Sequence, residues 1–197
     1  MKVTKEAIVL SACELFREKG YAGASMQDLA TAVGLQKASL YARFPNKEAL
    51  VTEVLKLTLR ETFRRDTSQE CRWEVAYEAD LRSLASNLAD KKRCVALHLA
   101  YGVGDENKHA KAAIKIFFQM LLDRLTDVLV RAMPRSAAEH LASDALARLE
   151  GATLLVSVFN STAALESTVR ALMKEAQEAA AAQLVHTDLG DCGGASS

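Results

Sequence analysis

Apolar residues recur every three or four positions along almost the whole chain, and the every-second-residue alternation of a strand is nearly absent, so the pattern predicts helices throughout. From Thr4 to Lys19, the residues Ile8, Ala12, Leu15 and Phe16 fall on one stripe, and Gly20 stands where a left-handed cap would end the helix. A second helix opens at Ser25, whose hydroxyl can cap the backbone with Asp28 three residues on. It turns Met26, Leu29, Ala30 and Val33 inward before Gly34 ends it. A third, from about Gln36 to Phe44, turns Leu40 and Phe44 inward at i,i+4 and leaves Lys37, Ser39, Tyr41 and Arg43 more exposed. Pro45 stops it, and Asn46 can cap a fourth helix running to about Arg65.

Beyond Asp66 the same periodicity predicts helices at roughly Trp73–Ala89, Arg93–Tyr101, Glu106–Met133, Ala137–Phe159 and Ala163–Val185. Asp90-Lys91-Lys92, Gly102–Asp105, Pro134 and Asn160-Ser161-Thr162 separate them as breakers or caps. The expected fold class is all-α. A three-helix bundle containing a helix-turn-helix occupies residues 1–47, a larger helical domain residues 48–188, and a flexible tail residues 189–197.

Charge narrows the function. The 25 basic and 25 acidic side chains cancel, which argues against coating nucleic acid through bulk charge. The first fifty residues nevertheless lean positive, with Lys2, Lys5, Arg17, Lys19, Lys37, Arg43 and Lys47 against Glu6, Glu14, Glu18, Asp28 and Glu48. Any DNA contact must be a local patch. Lys37 and Lys47 each fall in the first turn of a helix, where the macrodipole disfavours a cation. A phosphate at each position would reconcile the two positive charges, whereas the plainer alternative is a solvated face with incidental lysines.

Other chemistry is sparse. The start lacks the apolar run of a signal peptide, and Leu154 to Phe159 is too short to span a bilayer, so a cytoplasmic protein without membrane association is expected. Cys13, Cys71, Cys94 and Cys192 form no CxxC pair. Cys94 and His98 lie at i,i+4 without a third ligand at a recognisable spacing, so neither a metal nor another cofactor is expected. Cys71 beside Arg72 is the better candidate for a reactive thiol, which keeps a thiol-based redox-sensing regulator open alongside Cys94. His98, His109, His140 and His186 are scattered, and no catalytic motif accompanies them, so an enzyme is not expected.

The run ELFREKGYAGASMQDLATAVGLQKASLYARFPNKEALVTEVL resembles the N-terminal domain of the TetR family of transcriptional regulators. The features that match are Leu15-Phe16, Gly20-Tyr21, Ser25, Ala30, Gly34, Lys37, Leu40-Tyr41, Phe44 and Lys47-Glu48. RCVALHLAYGVGD and ALARLEGATLLVSVFNST are similar to that family's looser C-terminal pattern. Gln36 replaces the usual Ser or Thr, Ala38 replaces Gly, and Ala42-Arg43 stands where aromatic or His residues are frequent. The first change weakens the helix cap by about 1 kcal/mol, and Gln can contact an adenine edge.

The resemblance implies a ligand-responsive regulator, more often a repressor, that binds a palindromic operator in double-stranded DNA as a homodimer. It implies that Gln36, Lys37, Ala38 and Ser39 face bases or the adjoining backbone while Ser25, Tyr41, Arg43 and Lys47 hold phosphates. Tyr41 could equally place its ring in the core. It also implies that the larger domain serves dimerisation and a small-molecule effector. The two C-terminal helices carry the apolar positions Leu141, Ala145, Leu149, Thr153 and Val156, which would either pair with a second copy or pack within their own domain. Effector candidates are the sparse large side chains Phe63, Trp73, Tyr77, His98, Tyr101, Phe117, Phe118 and Phe159, with Gln119 and Met120 beside them, each of which could instead be core. A helical ligand-binding or scaffold dimer without DNA binding is the competing function.

Overall fold

The computed structural model describes residues 3–64, 67, 70 and 72–190; Cys71, Cys192 and the end of the expected tail lie outside them. Among the described residues there are nine helices and no strand. They are α1 (Lys5–Gly23), α2 (Met26–Ala32), α3 (Lys37–Tyr41), α4 (Lys47–Thr62), α5 (Trp73–Lys91), α6 (Val95–Gly102), α7 (Lys108–Leu129), α8 (Arg135–Phe159) and α9 (Ala163–Gly190). They sort into two compact units, Met1–Arg64 with Arg93–Met120, and Arg65–Lys92 with Leu121–Ser197.

In the first unit α1 packs against α2, α4 and α6, and α2 packs against α3. Ile8, Ala12, Phe16, Leu29, Ala30 and Leu50 are buried where these helices meet. The turns are built from local chemistry. Gly20 breaks α1 near its end at φ 68° and ψ 179°. Ser25 and Asp28 close a reciprocal capping box, with the Asp28 amide donating to Ser25 Oγ at 3.0 Å and the Ser25 amide to Asp28 Oδ2 at 3.3 Å. Hydrogen bonding to the Ser25 side chain, reinforced by Lys19, holds the Asp28 carboxyl below its usual range.

Gly34, at φ 66°, ends α2 in a Schellman pair: its own amide reaches the Thr31 carbonyl, and the Leu35 amide reaches that of Ala30. The turn delivers the chain into α3, five residues long and without a side-chain cap from Gln36. Such a helix is far below the length that survives alone. Its two apolar residues supply the stability, since Leu40 is fully buried and Phe44, just beyond the helix, is 2 % exposed. Asn46 then caps α4, its Oδ1 accepting from the Ala49 amide at 2.9 Å.

The second unit packs α5, α8 and α9 together around Tyr77, Leu81, Leu149 and Leu172. A bidentate ion pair lies inside it: Arg124 Nε and Nη2 each donate to an Asp80 carboxylate oxygen at 2.9 Å, and Thr67 Oγ1 bonds the same carboxylate. Arg148 ties the last two helices, donating to Asp144 at 3.0 Å and Glu175 at 2.7 Å.

Replacing Leu40 with Ala should cost about 2–5 kcal/mol in urea unfolding of the full chain. Ser39→Ala, one residue away on the exposed face, should change stability by less than about 0.5 kcal/mol.

Candidate nucleic-acid interface and groove

With Leu40 and Phe44 fixed in the core, the opposite side of α3 is committed to solvent. Gln36, Lys37, Ala38, Ser39, Tyr41, Ala42 and Arg43 are all exposed, and Ser25 is exposed at the head of α2. The face is uncharged or basic throughout. Tyr41 is 41 % exposed, and the Lys37 ammonium lies 5.8 Å from its ring centre, which keeps the tyrosine at the rim rather than in the core. Arg43 Nη1 donates to the Val3 carbonyl at 2.6 Å, tying the segment ahead of α1 to the end of α3.

Lys47 behaves differently. Its Nζ donates to the Tyr21 carbonyl at 2.5 Å and the Ala24 carbonyl at 2.9 Å, and lies 4.2 Å from the Tyr21 ring centre. Burial pulls its pKa below the ordinary lysine value. The cation in the first turn of α4 is therefore explained by carbonyls at the broken end of α1, and needs no phosphate to account for it. Lys37 has no such carbonyl partners among the described residues, and its ammonium lies over the Tyr41 ring instead.

An open groove of about 590 Å³ lies between α4 and the first part of α7. Thr52, Leu55, Lys56, Leu59 and Arg60 line one side, and His109, Ala113, Ile116, Phe117 and Met120 the other. Of the large side chains singled out in the sequence, Phe117 and Met120 border it; the others are elsewhere. Phe118 is half-buried and edge-on to Phe117, with ring centres 5.4 Å apart. Phe63, Trp73 and His98 are half-buried, and Tyr101 is 85 % exposed. Tyr77 is wholly buried in the second unit, its hydroxyl without a hydrogen-bond partner among the described residues and its pKa raised by burial. Phe159 is 71 % exposed at the end of α8. The groove escaped an aromatic search because its walls are mostly aliphatic and small.

Of the two alternatives for the apolar positions of α8, packing within their own unit accounts for four of the five. Ala145, Leu149, Thr153 and Val156 are buried, because that side of α8 packs against α9 and α5 of its own unit. The exposed apolar residues of α8 are instead Leu154, Leu155, Val158 and Phe159. Of the thiols, Cys13 is buried beside the Thr58 hydroxyl at 4.0 Å, and burial pushes its pKa up, the setting of an unreactive thiol. Cys94 caps α6, its Sγ accepting from the Leu97 amide.

Residues 8–54 match the domain described as bacterial regulatory proteins, tetR family. The chain is 30 % identical over 105 residues to the uncharacterized HTH-type transcriptional regulator YuxN of Bacillus subtilis (strain 168), a match spanning 52 % of this chain and 36 % of that protein. It is 40 % identical over 52 residues to IcaR of Staphylococcus aureus (strain Newman), named as the negative transcriptional regulator of the biofilm operon icaADBC, over 26 % of this chain and 28 % of that protein. The matches thus span about a third of the length of these curated relatives. The fold is shared with CifR, a TetR family transcriptional regulator solved as a cysteine mutant on a 26 bp double-strand operator DNA. That comparison has a TM-score of 0.74 at 19 % identity, and covers 88 % of this chain and 97 % of that one.

Lys47→Met keeps most of the aliphatic stem and removes the donor from two carbonyls, and should cost about 1–3 kcal/mol in denaturant unfolding. Lys37→Met should cost no more than about 0.5 kcal/mol in the same assay.

Proposed function

Because the chain belongs, through its N-terminal domain, to the TetR family of bacterial regulatory proteins, we propose that it binds an operator in double-stranded DNA as a homodimer and releases it when a small molecule binds. The observation that carries this reading is the face of α3: a short helix anchored by Leu40 and Phe44 that turns only polar, basic and small residues outward. A recognition helix in the major groove needs such a face, with donors for base edges near its start and cations for phosphates around it. Gln36, Lys37, Ala38 and Ser39 then lie against bases or the adjoining backbone, and Ser25, Tyr41 and Arg43 against phosphates. Lys47 acts mainly from behind, bracing α4 against the end of α1.

Two copies are needed to read a palindrome, with recognition helices about 34–36 Å apart. Leu154, Leu155, Val158 and Phe159 are 44–71 % exposed on consecutive turns of α8. An apolar face of that kind on a two-helix layer suits an isologous contact with a second chain. The groove on α4 supplies the effector site, since α4 carries both its lining and the Lys47 brace. An effector displaces the DNA-binding state only by its differential affinity for the two arrangements of that helix. Repression fits the negative regulation named for IcaR. No observation favours the scaffold without DNA binding.

In gel-shift titrations on genomic operator fragments at several salt concentrations, Lys37→Ala and Arg43→Ala should each weaken binding and lower the slope of log affinity against log salt by about one unit. Unchanged slopes in both variants, or no fragment shifted at low salt, would remove the DNA reading. In sedimentation velocity, Val158→Glu with Phe159→Glu should convert a dimer to monomer while α-helical circular dichroism is retained. A dimer that persists would place the contact elsewhere.

A further inference from the structure

The groove between α4 and α7 is uneven in charge. Its lining includes Lys56, Arg60 and His109 and no carboxylate. Lys56 and Arg60 are one turn apart on α4, so their stems leave the same side of the helix. The Lys56 ammonium is partly engaged: it lies 3.2 Å from Glu53 Oε1, and the same carboxylate holds Lys5 at 2.9 Å. The Arg60 guanidinium makes no hydrogen bond or ion pair among the described residues. Past His109, the α7 wall is apolar where water should be. Ile116 is 59 % and Met120 51 % exposed, one turn apart on α7, and both line the groove beside the buried Phe117.

These halves ask for a ligand with two ends. A guanidinium unengaged among the described residues offers a planar fork that matches a carboxylate. A single fork beside one half-neutralised lysine suits one negative charge better than the several of a nucleotide. A cationic ligand would meet like charges with no acid to receive it. An uncharged one would cover Arg60 without giving it a partner. The volume falls within the range of ordinary small-molecule sites and leaves room for an aliphatic or aryl body.

We infer that the groove takes an amphipathic monocarboxylate, its acid group on Arg60 with Lys56 in support and its apolar body on Ile116, Phe117 and Met120. This rests on the reading of the groove as the effector site and adds the ligand's chemical class.

Three probes that share an eight-carbon chain test it on the full chain by isothermal titration calorimetry: octanoate, 1-octanol and octyltrimethylammonium, each below its aggregation concentration. Octanoate should bind with one site per chain, at least about tenfold more tightly than either of the others. Arg60→Gln should erase that preference while leaving octanol binding unchanged, Arg60→Lys should restore part of it, and Met120→Glu should weaken binding of octanoate and octanol alike. Equal binding of the three, a preference for the ammonium, no binding at all, or octanoate binding indifferent to Arg60→Gln would each overturn the assignment. A parallel gel shift keeps the two readings apart. Octanoate that binds with this selectivity yet leaves the DNA complex intact overturns the effector reading and retains the ligand class. Release of DNA by octanol or the ammonium at the same site, at concentrations where octanoate releases none, does the reverse.

Discussion

Everything the N-terminal unit does depends on burying two side chains of a helix too short to exist alone. α3 has five residues and no side-chain cap, so its orientation is not its own property; Leu40 and Phe44 impose it by occupying the core. With those two inside, Ser39 falls on the far side of the helix, and Lys37 at its start and Tyr41 and Arg43 on its flanks are exposed. The surrounding devices hold that arrangement in register. The capping box fixes where α2 begins, the Gly34 turn fixes where it ends, and Asn46 fixes the start of α4. Each is worth little by itself, yet together they leave the short segment one conformation.

That part of the molecule was legible because its determinants are local. Gly34 needs a positive φ, Ser25 and Asp28 cap across three residues, and Leu40 and Phe44 are one turn apart. Long-range partners were not legible. Lys47 looked like a cation awaiting an anion because its carbonyl partners, on Tyr21 and Ala24, lie more than twenty residues away. The break at Gly20 turns those carbonyls toward it, and no periodicity reveals that. The left-handed cap expected at Gly20 is instead a kink: its φ is positive, but its ψ of 179° lies outside the left-handed helical region, helical turns resume to Gly23, and the cap is Ala24.

The groove and the outer face of α8 were hidden for a different reason. Both consist of apolar residues in excess of what the core uses. On α7, Ala110, Ile114 and Phe117 are buried in the first unit, and Ile116 and Met120 are left over. On α8, Leu149 and Val156 are buried in the second unit, and Leu154, Leu155, Val158 and Phe159 are left over. A search for the largest aromatics selects side chains such as Tyr77 that serve packing. The better signal is a helix apolar on more sides than its neighbours can cover.

The brace at the head of α4 has a geometrical consequence. Lys47 grips the end of α1, and Thr52, the first groove residue, follows five positions later, a separation of about 7.5 Å along the axis. Anchor and cavity therefore share one stiff rod, and no loop or intervening element has to relay a change from one to the other.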